Sequence, residues 1–464
     1  MTHFHISALR WVAMALVLTT SVHAQASDAS WRARVGAIVR DTVLANGLTV
    51  IVAENHAAPV VTVEVAFRSG AVAQNPGEEG MAHLLEHLVF RAYGDEAAFA
   101  QAVADMNGTY NGTTAEEQVR YWITVPGKEG LNAIRAAARL VRDAKIRSRD
   151  LSAEKSIVVD ELARGSSDVG SRLSNENGQR LWGDDWTRKN PGGTAESVGR
   201  VKLERVQAML ADQYVPSNAA VVVSGDCQAA DVVAEVVRRF GDWKSAAAQP
   251  GAALAMPKAT SQTQSFAVSG AEERLVTVQI QWAGPSVRES PADDHAADVF
   301  VSAVTSAAAL VVPRLLASGL IHSVTFSSES QARRGSLTLT AVVTPIGIER
   351  ALTELRSELD LIANPSFLTE AMVVAGKKNL TVHSEYWFEA GSSLAHTIGY
   401  WWTAAGLEYV RDYGDALARV DLAQVQSFVR RYVTGQPFVA GALTPPSYQE
   451  RAARALAKTF VGNP

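Results

Sequence analysis

One cysteine, Cys227, stands among 464 residues. A single thiol excludes internal disulfides and any metal site built from several cysteines, so a metal here must be held by His, Asp and Glu. Excess charge is lacking too: 43 Lys and Arg against 48 Asp and Glu leave a net −5. That removes the electrostatic case for nucleic acid, which needs a basic face. The apolar run Trp11–Thr20 is about half of what a bilayer span requires, and no later run reaches that length without charges. With no low-complexity tract, 47% hydrophobic and 20% charged residues describe a core-forming chain. Its length exceeds one ordinary core and predicts two domains or more.

The N-terminus reads as an export signal over residues 1–24. Arg10 supplies a basic start, the short apolar run follows, and Val22-His23-Ala24 has the small-residue pattern of a cleavage site. Cleavage near Ala24, with no membrane span afterwards, is expected. Asn107, Asn111 and Asn379 each open an Asn-x-Thr sequon. The first two fall in the segment placed below beside the active site, where a glycan would obstruct substrate, so the expected compartment is a bacterial periplasm.

The chain repeats itself. Val61-Thr62-Val63-Glu64-Val65-Ala66-Phe67 alternates like a half-buried strand, then a polar loop with Pro76, Glu78 and Glu79 leads to an apolar helix from Met81. Val276-Thr277-Val278-Gln279-Ile280-Gln281-Trp282 alternates likewise and leads through Pro291, Asp293 and Asp294 to an apolar helix from Ala296. Val276 follows Val61 by 215 positions, and Pro291 follows Pro76 by the same 215. Periodicity disappears where Ala246-Ala247-Ala248-Gln249-Pro250-Gly251 accumulates, as in a linker. The expected layout is a first domain at 37–245, a linker at 246–264 and a second domain at 265–464. Strands are predicted at Thr49–Val52, Val119–Val125, Ala219–Ser224 and Ser336–Val343, with helices at Leu131–Ala144, Ser152–Arg164 and Val201–Gln213. Clean alternation gives each sheet one wet face, so the fold class is α+β: two homologous domains, each a largely antiparallel sheet with helices packed on one face.

The chemistry gathers at His83-Leu84-Leu85-Glu86-His87. Residues four apart share a helix face, so both imidazoles can point at one metal ion, and Glu86 lies beside that face. Catalytic zinc wants such nitrogen donors, a further ligand and one open position. Two solvated histidines on an apolar helix are the plain alternative.

Ser69-Gly70 and Gly80-Met81-Ala82-His83 through Phe90 resemble the pitrilysin, insulysin and mitochondrial processing peptidase family of inverted zincins. That resemblance implies one zinc ion per chain, with Glu161, 74 residues past His87, as the third ligand and Glu154, seven before Glu161, orienting the site. Asp160 is the nearest competitor but points about 100° away on the helix. Asn111-Gly112-Thr113-Thr114-Ala115 looks like the family's Asn-Ala-x-Thr segment, an edge strand beside the metal to which an extended peptide adds, with Gly112 in place of the usual Ala. Pro216-Ser217-Asn218-Ala219 and Phe240-Gly241-Asp242-Trp243 fit as well, and the likeness is strong over residues 37–245 and weaker beyond.

The 215 offset carries His83 to Asp298, Glu86 to Val301 and His87 to Ser302, so the second half cannot hold zinc in the same place. In the family the half opposite the metal contributes an Arg and a Tyr; aligned on Gly319-Leu320 these positions are Leu315 and His322, and Arg314 is one residue aside. Tyr400-Trp401-Trp402 reads as helix core. The resemblance therefore implies a zinc-dependent endopeptidase acting on peptides or unfolded segments inside a closed chamber. It would be the catalytic subunit of a heterodimer whose homologous partner supplies Arg and Tyr. The rival expectation is a non-catalytic subunit that retains zinc for binding or assembly.

Overall fold

The computed structural model describes residues 30–94, 96–167, 169–244, 255–270 and 273–462. The expected signal segment and the first part of the expected linker lie outside them. The first sheet contains β1 Val39–Val43, β2 Thr49–Glu54, β3 Val60–Phe67, β4 Thr109–Thr114, β5 Val119–Pro126 and β6 Ala219–Gly225, in the order β1-β2-β6-β3-β5-β4. The second contains β7 Gln264–Ser269, β8 Val276–Ala283, β9 Ile321–Glu329, β10 Ser336–Val343 and β11 Val439–Thr444, in the order β7-β11-β8-β10-β9. With β1 set aside, the two orders coincide strand for strand. Even the parallel pair falls at the same place, β2 with β6 and β7 with β11.

The principal helices of the first half are α1 Trp31–Ile38, α2 Met81–Ala92, α3 Gly130–Arg142, α4 Ser148–Ser167, α5 Val169–Trp182, α6 Leu203–Gln213 and α7 Ala229–Phe240. Those of the second are α8 Pro291–Thr305, α9 Val311–Leu316, α10 Ile348–Ile362, α11 Glu370–Glu385, α12 Gly391–Ala404, α13 Leu407–Arg419 and α14 Gln449–Leu456. The helices read from periodicity are α3, α4 and α6, their ends moved by a few residues.

Each sheet packs its own helices on one face. Leu84, Leu85 and Leu88 of α2 with Ile134 of α3 cover Val63, Val65 and Ile123; Val299 and Phe300 of α8 with Leu352 and Leu355 of α10 cover Val278, Ile280 and Leu339. The other face is closed by an exchange between the halves. α12 lies on β3 and β6, where Leu394, Ala395 and Ile398 meet Ala66, Ala220 and Val222. In return α5 lies on β8 and β11, where Leu173 and Trp182 meet Val439 and Leu443. That is why β6 and β11 are buried at every residue rather than at alternate ones. Burying Leu394 or Ile398 contributes roughly 1.5–3 kcal/mol apiece, so each half completes the other's core.

Both exchanged helices are tied at the same sheet position. Glu64 of β3 meets His396 Nδ1 of α12 and stands 3.5 Å from Arg120. Gln279, its counterpart on β8, accepts a hydrogen bond from Asn177 of α5 at 2.7 Å. Gly399 lets α12 come this close, since a Cβ there would fall on Glu64 Oε1. Residues 30–36, before the expected first domain, join the second half: Trp31 of α1 donates to Val410 O of α13 at 2.8 Å. No described helix is long and apolar enough to cross a membrane.

Candidate metal centre

Gly80 caps the start of α2; its φ of 85° suits glycine, and a Cβ there would come 2.5 Å from Gly192 O. One helical turn brings the rings of His83 and His87 to 4.8 Å, edge to face. α4 runs alongside and delivers Glu161, whose Oε2 lies 3.9 Å from His83 Nε2 and 3.4 Å from His87 Nε2. These gaps exceed a hydrogen bond. They are closer to the separation of ligands sharing one ion, about 3.3 Å at zinc's bond lengths of about 2.0–2.1 Å. The three donor atoms lie within 4.8 Å of one another, and they form the one such trio of His, Cys, Asp or Glu among the described residues. Two imidazoles and one carboxylate suit zinc, and Asp160, exposed, is not part of the set.

Charge around the trio points the same way. Burial pushes the His83 imidazole below its ordinary pKa, and His87 adds to that; the neutral ring is the form that ligates metals. His83 Nδ1 is buried without a hydrogen-bond partner. At His87, burial is outweighed by the neighbouring carboxylates of Glu154, Glu86 and Glu161, which hold its pKa up. Such an excess of negative charge is what a bound cation neutralises. Glu154, 2% exposed, stands 3.4 Å from His87 Nδ1 and accepts from Arg91 Nη1 at 2.6 Å. Its burial is more than offset by those two partners, so its pKa is lowered and it stays ionised. Arg91 was missed in the sequence, although it continues the four-residue spacing of His83 and His87.

Glu86 is buried at 7% exposure beside the trio. Burial raises its carboxyl pKa, against the hydrogen bond from Thr114, whose hydroxyl donates to Oε2 at 2.6 Å. Thr114 ends β4, the edge strand of the first sheet. Asn111, Gly112, Thr113 and Thr114 all lie on that strand, while Ala115 belongs to the turn that follows and donates its N–H to Gln118 O. The glycine in place of alanine has a local cause: a Cβ at 112 would sit 2.5 Å from Glu86 Oε1 and 2.9 Å from Phe90. Glu86 occupies that space.

In the second half Asp298 of α8 accepts from Ser328 at 2.8 Å and Tyr413 at 2.9 Å. Leu315 is buried, Arg314 is held by Glu358 through two contacts of 2.7 Å, and His322 Nε2 meets Thr344 Oγ1 at 2.9 Å. Trp401 and Trp402 are buried in α12.

A sequence profile described as Insulinase (Peptidase family M16) matches residues 49–176, and one described as Peptidase M16 inactive domain matches residues 200–380. An uncharacterized zinc protease of Mycobacterium tuberculosis is 28% identical over 204 residues, 44% of this chain and 47% of that protein. A probable mitochondrial-processing peptidase subunit beta of Arabidopsis thaliana is 23% identical over 203 residues, 43% of this chain and 38% of that protein. The match thus spans less than half the length of either relative. The crystal structure of a protease from Helicobacter pylori superposes with a TM-score of 0.75 at 18% identity, over 88% of this chain and 99% of that one, and so shares the two-domain fold.

Proposed function

The chain belongs to the insulinase family of peptidases, M16, and from that premise we propose that it is a zinc-dependent endopeptidase. His83, His87 and Glu161 hold the metal and Glu86 is the general base. One observation carries the reading: Glu86 is buried next to the trio, is not a member of it, and is held by Thr114 on the edge strand. A purely structural metal site has no use for a buried, pKa-raised carboxylate in that place.

Zinc, when bound, supplies Lewis acidity that polarises the scissile carbonyl and acidifies water. The chain's residues do the rest. A peptide adds along the free side of β4 by main-chain hydrogen bonds, which gives affinity with little side-chain selectivity. Glu86, its basicity raised by burial, takes the proton of the attacking water and returns it to the leaving amine. Glu154 holds His87 by its Nδ1, with Arg91 holding Glu154 in turn.

Leu315 and His322 supply neither an Arg nor a Tyr at the aligned positions, and Arg314 is engaged by Glu358. The reading therefore includes a homologous partner that closes the chamber and supplies both, and a heterodimer. Export to a periplasm rests on Arg10, Trp11–Thr20 and Val22-His23-Ala24. The test is Glu86→Gln assayed on an unstructured peptide, with and without partner and chelator. Zinc should stay bound while turnover falls by about two orders of magnitude or more; retained turnover removes Glu86 from the mechanism.

A further inference from the structure

The turn between β4 and β5, residues 115–118, and the turn between β9 and β10, residues 330–335, are counterparts in the repeat, and they touch. The Glu117 carboxylate reaches across and accepts from the backbone N–H of Ala332 at 2.5 Å and of Arg333 at 3.1 Å. The Arg333 guanidinium lies 3.9 Å away. Beside it Glu116 accepts from the Gln331 amide, and Gln331 accepts from Lys189, which also donates to Arg334 O at 2.6 Å. From the opposite side the first half's own backbone holds the turn, with Ala71 N–H donating to Ala115 O at 3.1 Å and Val72 N–H to Glu116 O at 2.7 Å.

This turn ends the strand that carries Thr114. β4 pairs with β5 alone, so one side of it has no ladder to fix its position. Its C-terminal end is instead gripped between the two halves, three residues from the hydroxyl that holds Glu86. The side chain of Glu117 is 11% exposed, and a carboxylate bonded to two backbone N–H groups makes stronger hydrogen bonds than a neutral acceptor. Removing it leaves two donors of the opposing turn unpaired.

We propose that Glu117 is a positioning residue through which the half without the metal motif sets β4, and with it Thr114 and Glu86, for an incoming peptide. The proposal rests on the peptidase reading for its consequence in turnover but not for its consequence in the strand. It gives the second half a task inside the first half's site, beyond filling its core.

Zinc-loaded full-length chain carrying Glu117→Ala, Glu117→Gln, Thr114→Val and the double variant Thr114→Val with Glu117→Ala tests it. Backbone hydrogen exchange over residues 109–114 should accelerate about tenfold in Glu117→Ala, and less in Glu117→Gln, which keeps one acceptor oxygen. Zinc content should not change. Peptide turnover should fall about tenfold in Glu117→Ala, and the double variant should fall no further than the worse single one, because both act through the same link. Unchanged exchange in 109–114 overturns the proposal, as do losses that multiply in the double variant. If Glu117→Ala does not fold, Glu117→Gln carries the same comparison. If the wild-type chain cleaves no peptide either alone or with its partner, the peptidase reading fails by itself and the exchange measurement still decides this one.

Discussion

α2 and α8 occupy the same place on the same kind of sheet, and the metal-type trio at α2 and the paired aspartates of α8 have opposite fates. At α2, Glu161 of α4 stands 3.9 Å from His83 and 3.4 Å from His87, too far to satisfy either. On α8, Asp298 stands where His83 would be and Asp294 one turn before it; Asp298 accepts from Tyr413 and Ser328, and Asp294 accepts from Tyr409 at 2.6 Å. Asp294 and Asp298 are held out of water, whereas His83 and His87 are half-buried and Glu161 is exposed. They differ in the partners each set finds: Asp294 and Asp298 are met by hydroxyls, whereas the donor atoms of His83, His87 and Glu161 lie within 4.8 Å of one another without bonding.

The largest expected effect separates the helices outright. His87→Ala should take zinc from one per chain to none, whereas Asp298→Asn, at the position matching His83, should leave it at one. Metal analysis of the purified chains reads both, and zinc lost from Asp298→Asn would show that the halves are not independent in this respect. A smaller effect tests the closed side. Tyr413→Phe removes a hydroxyl from Asp298 and should destabilise the chain by about 1–3 kcal/mol, read by chemical denaturation, with zinc content unaltered. The smallest concerns pH. Burial, then the nearby Asp298, raise the Asp294 carboxyl from 3.8 to about 7. A folded-state pKa above the unfolded one means stability fully present below pH 4 or so and lost as pH rises through about 7. Melting temperature should therefore drift down between about pH 4 and pH 7, and Asp294→Asn should flatten part of that drift; a wild-type slope kept by Asp294→Asn would remove Asp294 as its source.

Much of this architecture was legible in the chain. Alternation marked β3 and β8, although β3, read as half-buried, is buried from Val61 to Phe67 under α12, and the constant spacing between Val61 and Val276 matched two strands that hold the same sheet position. The exchange of α5 and α12 was not legible. Alternation in β5 suggested a wet face, yet β6 and β11 are buried throughout because each receives a helix from the other half. The run Ala220-Val221-Val222-Val223 held a hint, since an unbroken apolar run is how a strand covered on both faces reads. Within the site, the family likeness marked Gly112 as standing in place of alanine, and the position of Glu86 Oε1 explains it.

What the sequence determined by itself is what a single helix determines. Four-residue spacing puts His83 and His87 on one face, and seven-residue spacing does the same for Glu154 and Glu161, because the period of the α-helix is local and regular. Tertiary structure alone decided that α4 lies against α2 at the right height, that Thr114 holds Glu86, that Glu117 reaches into the second half, and that tyrosines close the space around Asp294 and Asp298. These contacts join residues 28 to 215 positions apart. No period in the chain encodes them; they follow from how two whole sheets and their exchanged helices pack.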